Sequence, residues 1–288
     1  MDMRRVVIAT TIAVALTGAG GLTPATLGAR QQAPARRYTP APGAKDLKAV
    51  LFNWMWYMGM LRGAQEIEAV ATLEHQATGT IQLDGQPCTL TKYRVSTNYQ
   101  VSGQRVQYTC TRANGQPHSA IEVVSGQYAW NEDIPGAEIV PGKGKATPMP
   151  AALQERLIRL WAGPQGAPKA ASAGADKTSV AHDTGKPVVT YPIPGVPGAI
   201  AKATLNAVNQ AERVEVTLGN VVTEFTYANY QDWNNPLNKV EAFYAGTLVE
   251  KRNNVIVRDL RTTETETGNV YVVMPVPASV RKAMAGSR

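Results

Sequence analysis

A chain of 288 residues, 44% hydrophobic and 18% charged, carries too much apolar and too little charged material to remain disordered. Two cysteines exclude a disulfide-dense scaffold, and the length suffices for one sizeable core. The formal charge is +7, but Lys and Arg are scattered with no run of five, which fits an anionic surface as partner and no specific nucleic acid.

Residues 1–29 have the three parts of a secretory signal peptide: Arg4 and Arg5, an apolar run from Val6 to Leu16, and a small-residue stretch. The run is well short of the roughly 20 apolar residues that span a bilayer. Cleavage after Ala25 or Ala29 is expected, leaving an exported protein, periplasmic or extracellular, that meets a membrane only during export. Removing the leader lowers the formal charge to +6, with 27 basic and 21 acidic residues. Residues 30–45, rich in Gln, Pro, Ala and Arg, read as a disordered tether.

The folded domain is expected over 46–281, with a tail at 282–288. Leu47, Val50, Leu51, Trp54, Met58 and Leu61 recur at spacings of three and four, so a helix is predicted from Asp46 to about Gly59 or Gly63. Met55, Trp56 and Tyr57 make it apolar nearly all round, as in a helix buried on several sides. After Ile67 the period changes to two. Strands are predicted over 69–83, 91–101, 104–112, 119–124 and 127–131, with turns at Asp84-Gly85, Ser102-Gly103, Asn114-Gly115 and Ser125-Gly126.

A Pro/Gly/Lys loop leads to a short helix at 151–161 with Leu153, Leu157 and Leu160 on one face. Residues 162–186 are Ala, Gly, Pro, Ser and Lys with little to bury, and a mobile surface loop is expected there. Strands resume over 188–193, 203–208, 214–218, 221–230, 240–245, 247–252, 255–265 and 270–274, with turns at Gly219-Asn220 and Asn253-Asn254. About a dozen strands with no long helix repeating between them argue against a parallel βαβ sheet. The expected fold is mainly β: one strongly curved antiparallel sheet, an unclosed half-barrel, with the N-terminal and mid-chain helices on its concave face. A two-sheet sandwich has no place for so apolar a first helix.

Catalytic signatures are missing from the chain. His75, His118 and His182 have no ligand spacing, so no metal is expected, and no nucleophile elbow occurs. The stretch at 136–145 differs from a phosphate loop in glycine spacing and in having Gly144 at the magnesium position. Asp232 with Glu224, or Glu132 with Asp133, could pair as acid and base, but acids at strand ends are usually solvated. The reading is therefore a non-enzymatic protein with no cofactor. The Met and aromatic side chains point to an adaptable lining for a lipid or other apolar small molecule, with Trp54, Met55, Met58, Trp130 and Trp161 as candidate ligand-binding residues. A protein with a filled core that acts through surface contacts is the alternative, and a secreted hydrolase the second.

Cys88 and Cys110 are expected to bond, given export. If Ser102-Gly103 closed a tight hairpin, Cys110 would face Val95 and Cys88 would lie seven positions beyond, roughly 23 Å away at about 3.3 Å per residue. The bond therefore requires a loop across about 95–103 or a bend that returns Cys88.

The helix before the first strand, the segment IEVVSGQYAW (121–130) and the hairpin over 214–230 resemble the unclosed-barrel superfamily of bacterial LolA/LolB-like lipoprotein carriers. That resemblance implies a curved sheet over an apolar cavity lidded by helices. TYANYQDWNNP (226–236) and GNVYVVMPVPASVR (268–281) resemble segments of exported bacterial proteins. No residue role follows from either likeness.

Overall fold

The computed structural model describes residues 42–61, 70–233, 243–269 and 271–285. The leader at 1–29, most of the 30–45 tether, a helix end at Gly63, the strand positions Ala69, Val240 and Val270, and residues 286–288 of the tail lie outside them.

Asp46 starts α1 (Leu47–Tyr57): its carboxylate accepts from the Ala49 backbone N–H at 3.0 Å, satisfying one of the free donors of the first turn. Val50, Trp54 and Met58, four apart, form its buried stripe. The chain then lays down β1 (Thr72–Leu83), β2 (Gln86–Asn98), β3 (Gly103–Arg112), β4 (Pro117–Ser125), β5 (Tyr128–Glu132) and β6 (Ala146–Pro148) as one meander. Two helices follow, α2 (Leu153–Ala162) and α3 (Gly166–Ala173). A second meander comprises β7 (Ser179–Asp183), β8 (Lys186–Pro192), β9 (Ile200–Leu205), β10 (Ala211–Leu218), β11 (Val221–Asp232), β12 (Phe243–Arg252) and β13 (Val255–Thr267), and α4 (Ala278–Ala285) ends the fold.

The two meanders join at a single seam, where β1 pairs antiparallel with β13. The result is one curved sheet of thirteen strands in the order β6-β5-β4-β3-β2-β1-β13-β12-β11-β10-β9-β8-β7, with β6 and β7 as free edges. It is the unclosed half-barrel, with α1, α2 and α3 on its concave face. Turn chemistry sets the registers. Asp84-Gly85 and Asn253-Asn254 have both central residues at positive φ, the tight hairpin geometry that Asp, Asn and Gly tolerate.

Alternation separates the two faces. On β4, Val124 packs into the layer beneath the helices, whereas its neighbour Val123 faces outward with Trp130, Val272, Met274 and Val280. The C-terminal segment and α4 therefore cover part of the outer face.

Several expectations change. Residues 162–186 hold α3 and β7 rather than a mobile surface loop, and Ala167, Ala170 and Ala171 are fully buried. Their small side chains let α3 pack closely; a Cβ on Gly166 would lie 2.0 Å from the Leu160 carbonyl oxygen. The strand predicted at 203–208 is β9, three residues earlier, because Asn206 folds the next residues into a turn by accepting from the Val208 and Gln210 N–H groups. The two strands predicted across 240–252 are one over its described part, β12. Residues 271–274 form no strand; Val272 and Met274 pack on the outer face, and the Asn98 side chain donates to the Val272 carbonyl at 2.9 Å.

The disulfide joins Cys88 and Cys110, whose Cα atoms are 5.5 Å apart. The β2–β3 connection is a short 3-10 turn at Tyr99–Val101 with Ser102 left-handed, not a tight hairpin at Ser102-Gly103. Asn98 consequently pairs with Gly103, a register shift of four from the tight hairpin, and a bulge between Leu90 and Lys92 adds one more. Cys110 then faces Leu90, two residues from Cys88 on the same face, which is bonding range for a diagonal pair.

Candidate functional site

The layer between sheet and helices is the largest apolar cluster of the described residues. Val50, Trp54 and Met58 of α1, Leu157, Leu160 and Trp161 of α2, and the alanines of α3 face Val189 and Tyr191 of β8, Ala201, Ala203 and Leu205 of β9, and Phe225 and Tyr227 of β11. Of the candidate ligand-binding residues, Trp54, Met58 and Trp161 meet here, and Met55 packs partly buried at its margin. Trp130 does not join them. It sits on the outer face, its indole N–H donating to Glu132 Oε1 at 3.0 Å, because it pairs across the ladder with outward-facing Val123.

A polar seam crosses the same concave face. Arg159 of α2 donates its Nε to both carboxylate oxygens of Glu250 on β12, at 3.0 and 3.1 Å. Arg258 of β13 lies 3.4 Å from Glu250 and donates to the Tyr93 hydroxyl at 3.1 Å. Burial alone would depress the Arg159 guanidinium, but Glu250 and Glu155 outweigh it and hold it above its ordinary pKa. Arg156, one turn earlier, donates to the backbone carbonyls of Val123 and Trp130 at 2.9 and 2.7 Å. Helix α2 thus ties β4 and β5 to β12 across the open half-barrel. Its last carbonyls, at Trp161 and Ala162, accept from the Tyr191 and Tyr227 hydroxyls at 3.4 and 2.8 Å.

Beneath the seam lies a cavity of about 40 Å³, with His75, Tyr93, Tyr99, Tyr227, Tyr244, Arg159, Glu250 and Arg258 in its wall. His75 is buried, with Tyr244 Oη 3.5 Å from Nε2 and no hydrogen-bond partner for Nδ1 among the described residues. Burial, followed by the positive charge of Arg258, pushes its pKa down to about 3, so the ring is neutral. The indole N–H groups of Trp54 and Trp161 and Gln165 Oε1 are likewise buried without a described partner. Two clefts of about 180 and 170 Å³ open at the end of the sheet formed by the β10–β11 and β12–β13 turns, sharing Glu155, Arg159 and Arg252.

The seam was hidden in the sequence, although two signals mark it. Arg156 and Arg159 interrupt the apolar run of the mid-chain helix, and Glu250 falls two residues after Leu248 on the inward side of its strand. A charge on an apolar face needs a buried partner.

The carboxylate pairs weighed for acid–base chemistry are engaged separately. Glu132 clamps Arg105, Asp133 Oδ1 accepts from the Lys145 N–H at 2.7 Å, and Glu224 pairs with Arg213. The described residues contain no group of three His, Cys, Asp or Glu side chains able to hold a metal ion. No described helix is long and apolar enough to cross a membrane.

No protein-family model matches this chain, and no curated protein matches it. Among solved structures it is similar to a crystal structure from Vibrio parahaemolyticus, provisionally described as an outer membrane lipoprotein-sorting protein domain. The two share 12% sequence identity over 83% of this chain and 98% of that one, with a TM-score of 0.42. At that identity no residue of this chain inherits a role.

Proposed function

We propose that this protein is an exported, non-enzymatic binder of an amphipathic ligand, a lipid or acyl chain, held between the curved sheet and its helices. The observation that carries the reading is the set of buried polar atoms with no partner among the described residues: Trp54 Nε1, Trp161 Nε1 and Gln165 Oε1 at the apolar layer, and His75 Nδ1 beside the polar seam. Native cores leave few buried polar atoms unpaired, and each costs about 1–3 kcal/mol. Phe in place of either Trp would fill a permanent core without that cost. An amphiphile would place its chain against Trp54, Met58 and Trp161 and offer polar atoms to the unpaired groups. The disulfide supports export, since such bonds persist in oxidising compartments.

A second reading, the filled-core protein acting through its surface, is favoured by the size of the interior cavity. About 40 Å³ is far below the roughly 300 Å³ at which ligand pockets begin, so a ligand enters only if a helix moves. The two readings separate in one experiment. The chain from Arg30 is expressed, purified gently and extracted with organic solvent for mass spectrometry, and uptake of a fluorescent fatty acid is measured in parallel. Near-stoichiometric lipid, with uptake weakened in Trp54→Phe and Trp161→Phe, is the expected result. Neither lipid nor uptake would sink the binder and leave the filled core.

A further inference from the structure

The outer face of the half-barrel carries a groove of about 660 Å³, more than ten times the interior cavity and within the roughly 300–1,000 Å³ of small-molecule sites. Its floor is a row that crosses β1 to β5 in register: Gln76 pairs with Arg94, Arg94 with Gln107, Gln107 with Ile121 and Ile121 with Glu132. At about 4.8 Å between strands the row is about 19 Å long, enough for a chain of several small rings. A second row, Lys92, Thr109 and Ser119, runs beside it. Ile121 and Glu132 lie two residues from Val123 and Trp130 and share their outward parity, so the groove is on the face opposite the helices.

The charges in this groove are largely engaged within the fold. Arg94 donates to Glu74 at 2.8 Å, and Asp133 Oδ1 accepts from the Lys145 N–H at 2.7 Å. Glu132 accepts from Arg105, from the Trp130 indole and from the Gly136 N–H. Lys92 is the one lining cation without an ion pair among the described residues, too little charge for a nucleic acid or another polyanion. The neutral groups, in contrast, have capacity to spare. Thr78, Gln107 and Thr263 make no side-chain hydrogen bond to a described residue. Gln76 donates to Glu264 at 2.5 Å and keeps its amide oxygen, and the Thr109 and Ser119 hydroxyls share a single bond at 2.9 Å.

We infer that this groove binds a neutral oligosaccharide. Side-chain hydroxyls and amides both donate and accept, which matches a chain of sugar hydroxyls that do the same. Ile121 and Pro135 offer apolar contact to the C–H faces of the rings. An acyl chain would need a mainly apolar lining, which this floor lacks. A peptide that adds as an extra strand would need a free edge, whereas every strand from β1 to β5 is paired on both sides. The inference does not rest on the ligand-binding reading, which concerns the opposite face.

The test is isothermal titration calorimetry of the chain from Arg30 with chitohexaose, cellohexaose and maltohexaose. At least one should bind with a dissociation constant of about 1 mM or tighter. The double variant Thr78→Val, Gln107→Met keeps both side chains close to their original size, removes their hydrogen bonding and should weaken that binding by at least about tenfold. Thr226→Val, exposed on β11 three strands beyond β1, should bind like the wild type. Near-UV circular dichroism checks that each variant is folded. Binding of none of the three sugars, unchanged binding by the double variant, or an equal loss in Thr226→Val would overturn the inference. Tighter binding of a heparin hexasaccharide than of every neutral chain would overturn the neutrality of the ligand. A protein that takes up fluorescent fatty acid and binds none of these sugars would lose this inference and keep the interior binder.

Discussion

Acidification should weaken this fold through His75. In the folded protein the ring lies between Tyr93 and Tyr244, with centroids 6.2 and 4.8 Å away, and its pKa is pushed down to about 3. In the unfolded chain it returns to about 6.5. Between those values the unfolded state binds the extra proton, so stability rises with pH and is lost as pH falls from 6.5 toward 3. Each pH unit in that window is worth about 1.4 kcal/mol, and the loss from pH 7 to pH 5 is about 2 kcal/mol. At roughly 2–4 °C per kcal/mol for a domain of this size, the midpoint should fall by about 4–8 °C.

Urea unfolding followed by tryptophan fluorescence at pH 7, 6 and 5 reads this directly, with His75→Gln as the comparison. Glu74, Glu155 and Glu224 also have lowered pKa values in the fold, but they lose their contributions mainly below pH 4.5 and do so in both proteins. The variant should therefore be flatter by about 2 kcal/mol across pH 7 to 5. Parallel profiles would show that His75 is solvated or charged in the native state, and the buried aromatic setting derived for it would be wrong.

Two further perturbations probe the framework. Glu250→Ala leaves Arg159 buried beside a lost partner and should cost about 3–5 kcal/mol, a fall of roughly 10 °C in a thermal melt; a change under 1 kcal/mol would mean the seam is open to water. Replacing both Cys88 and Cys110 by Ser opens a loop of 22 residues' separation and should cost about 3 kcal/mol in denaturant unfolding, with the slope of the transition altered because the unfolded state expands. An unchanged midpoint and slope would count against the bond.

Much of the sheet was legible because period-two patterning and turn residues are local signals. Thr91, Tyr93, Val95, Thr97 and Tyr99 announce one face of β2 and its continuation, and Asn253-Asn254 fixes a two-residue hairpin without reference to anything distant. What stayed hidden depends on distant partners. The sequence of α3 looks unable to bury anything until Gly166 and its alanines meet α2 and the sheet, where smallness is the asset. Trp130 reads as an inward aromatic until the parity of Val123 and Val124 is known, since a shift by one residue exchanges the two faces. Cys88 and Cys110 came together through a 3-10 turn and one bulge, neither of which has a strong residue signature.

The way the helices are fastened decides how the layer could open. Arg156 and Arg159 hold α2 to both halves of the sheet through buried charge-assisted bonds, and two tyrosine hydroxyls hold its last carbonyls. Breaking those contacts would strand two cations in an apolar layer. The carbonyls ending α1 are held by neutral donors, Gln210 to Tyr57 at 3.4 Å and Gln165 to Met58 at 3.1 Å, and Val50, Trp54 and Met58 add an apolar grip. If any helix admits a ligand, it is α1, moving away from α3 while α2 stays as a fixed strut. Native-state hydrogen exchange should then show the α1 amides opening at lower free energy than those of α2, with added fatty acid changing α1 first. Equal protection in both helices would mean they open only with the whole fold. Entry beneath α1 would then be closed, and the filled-core reading would gain what the binder loses.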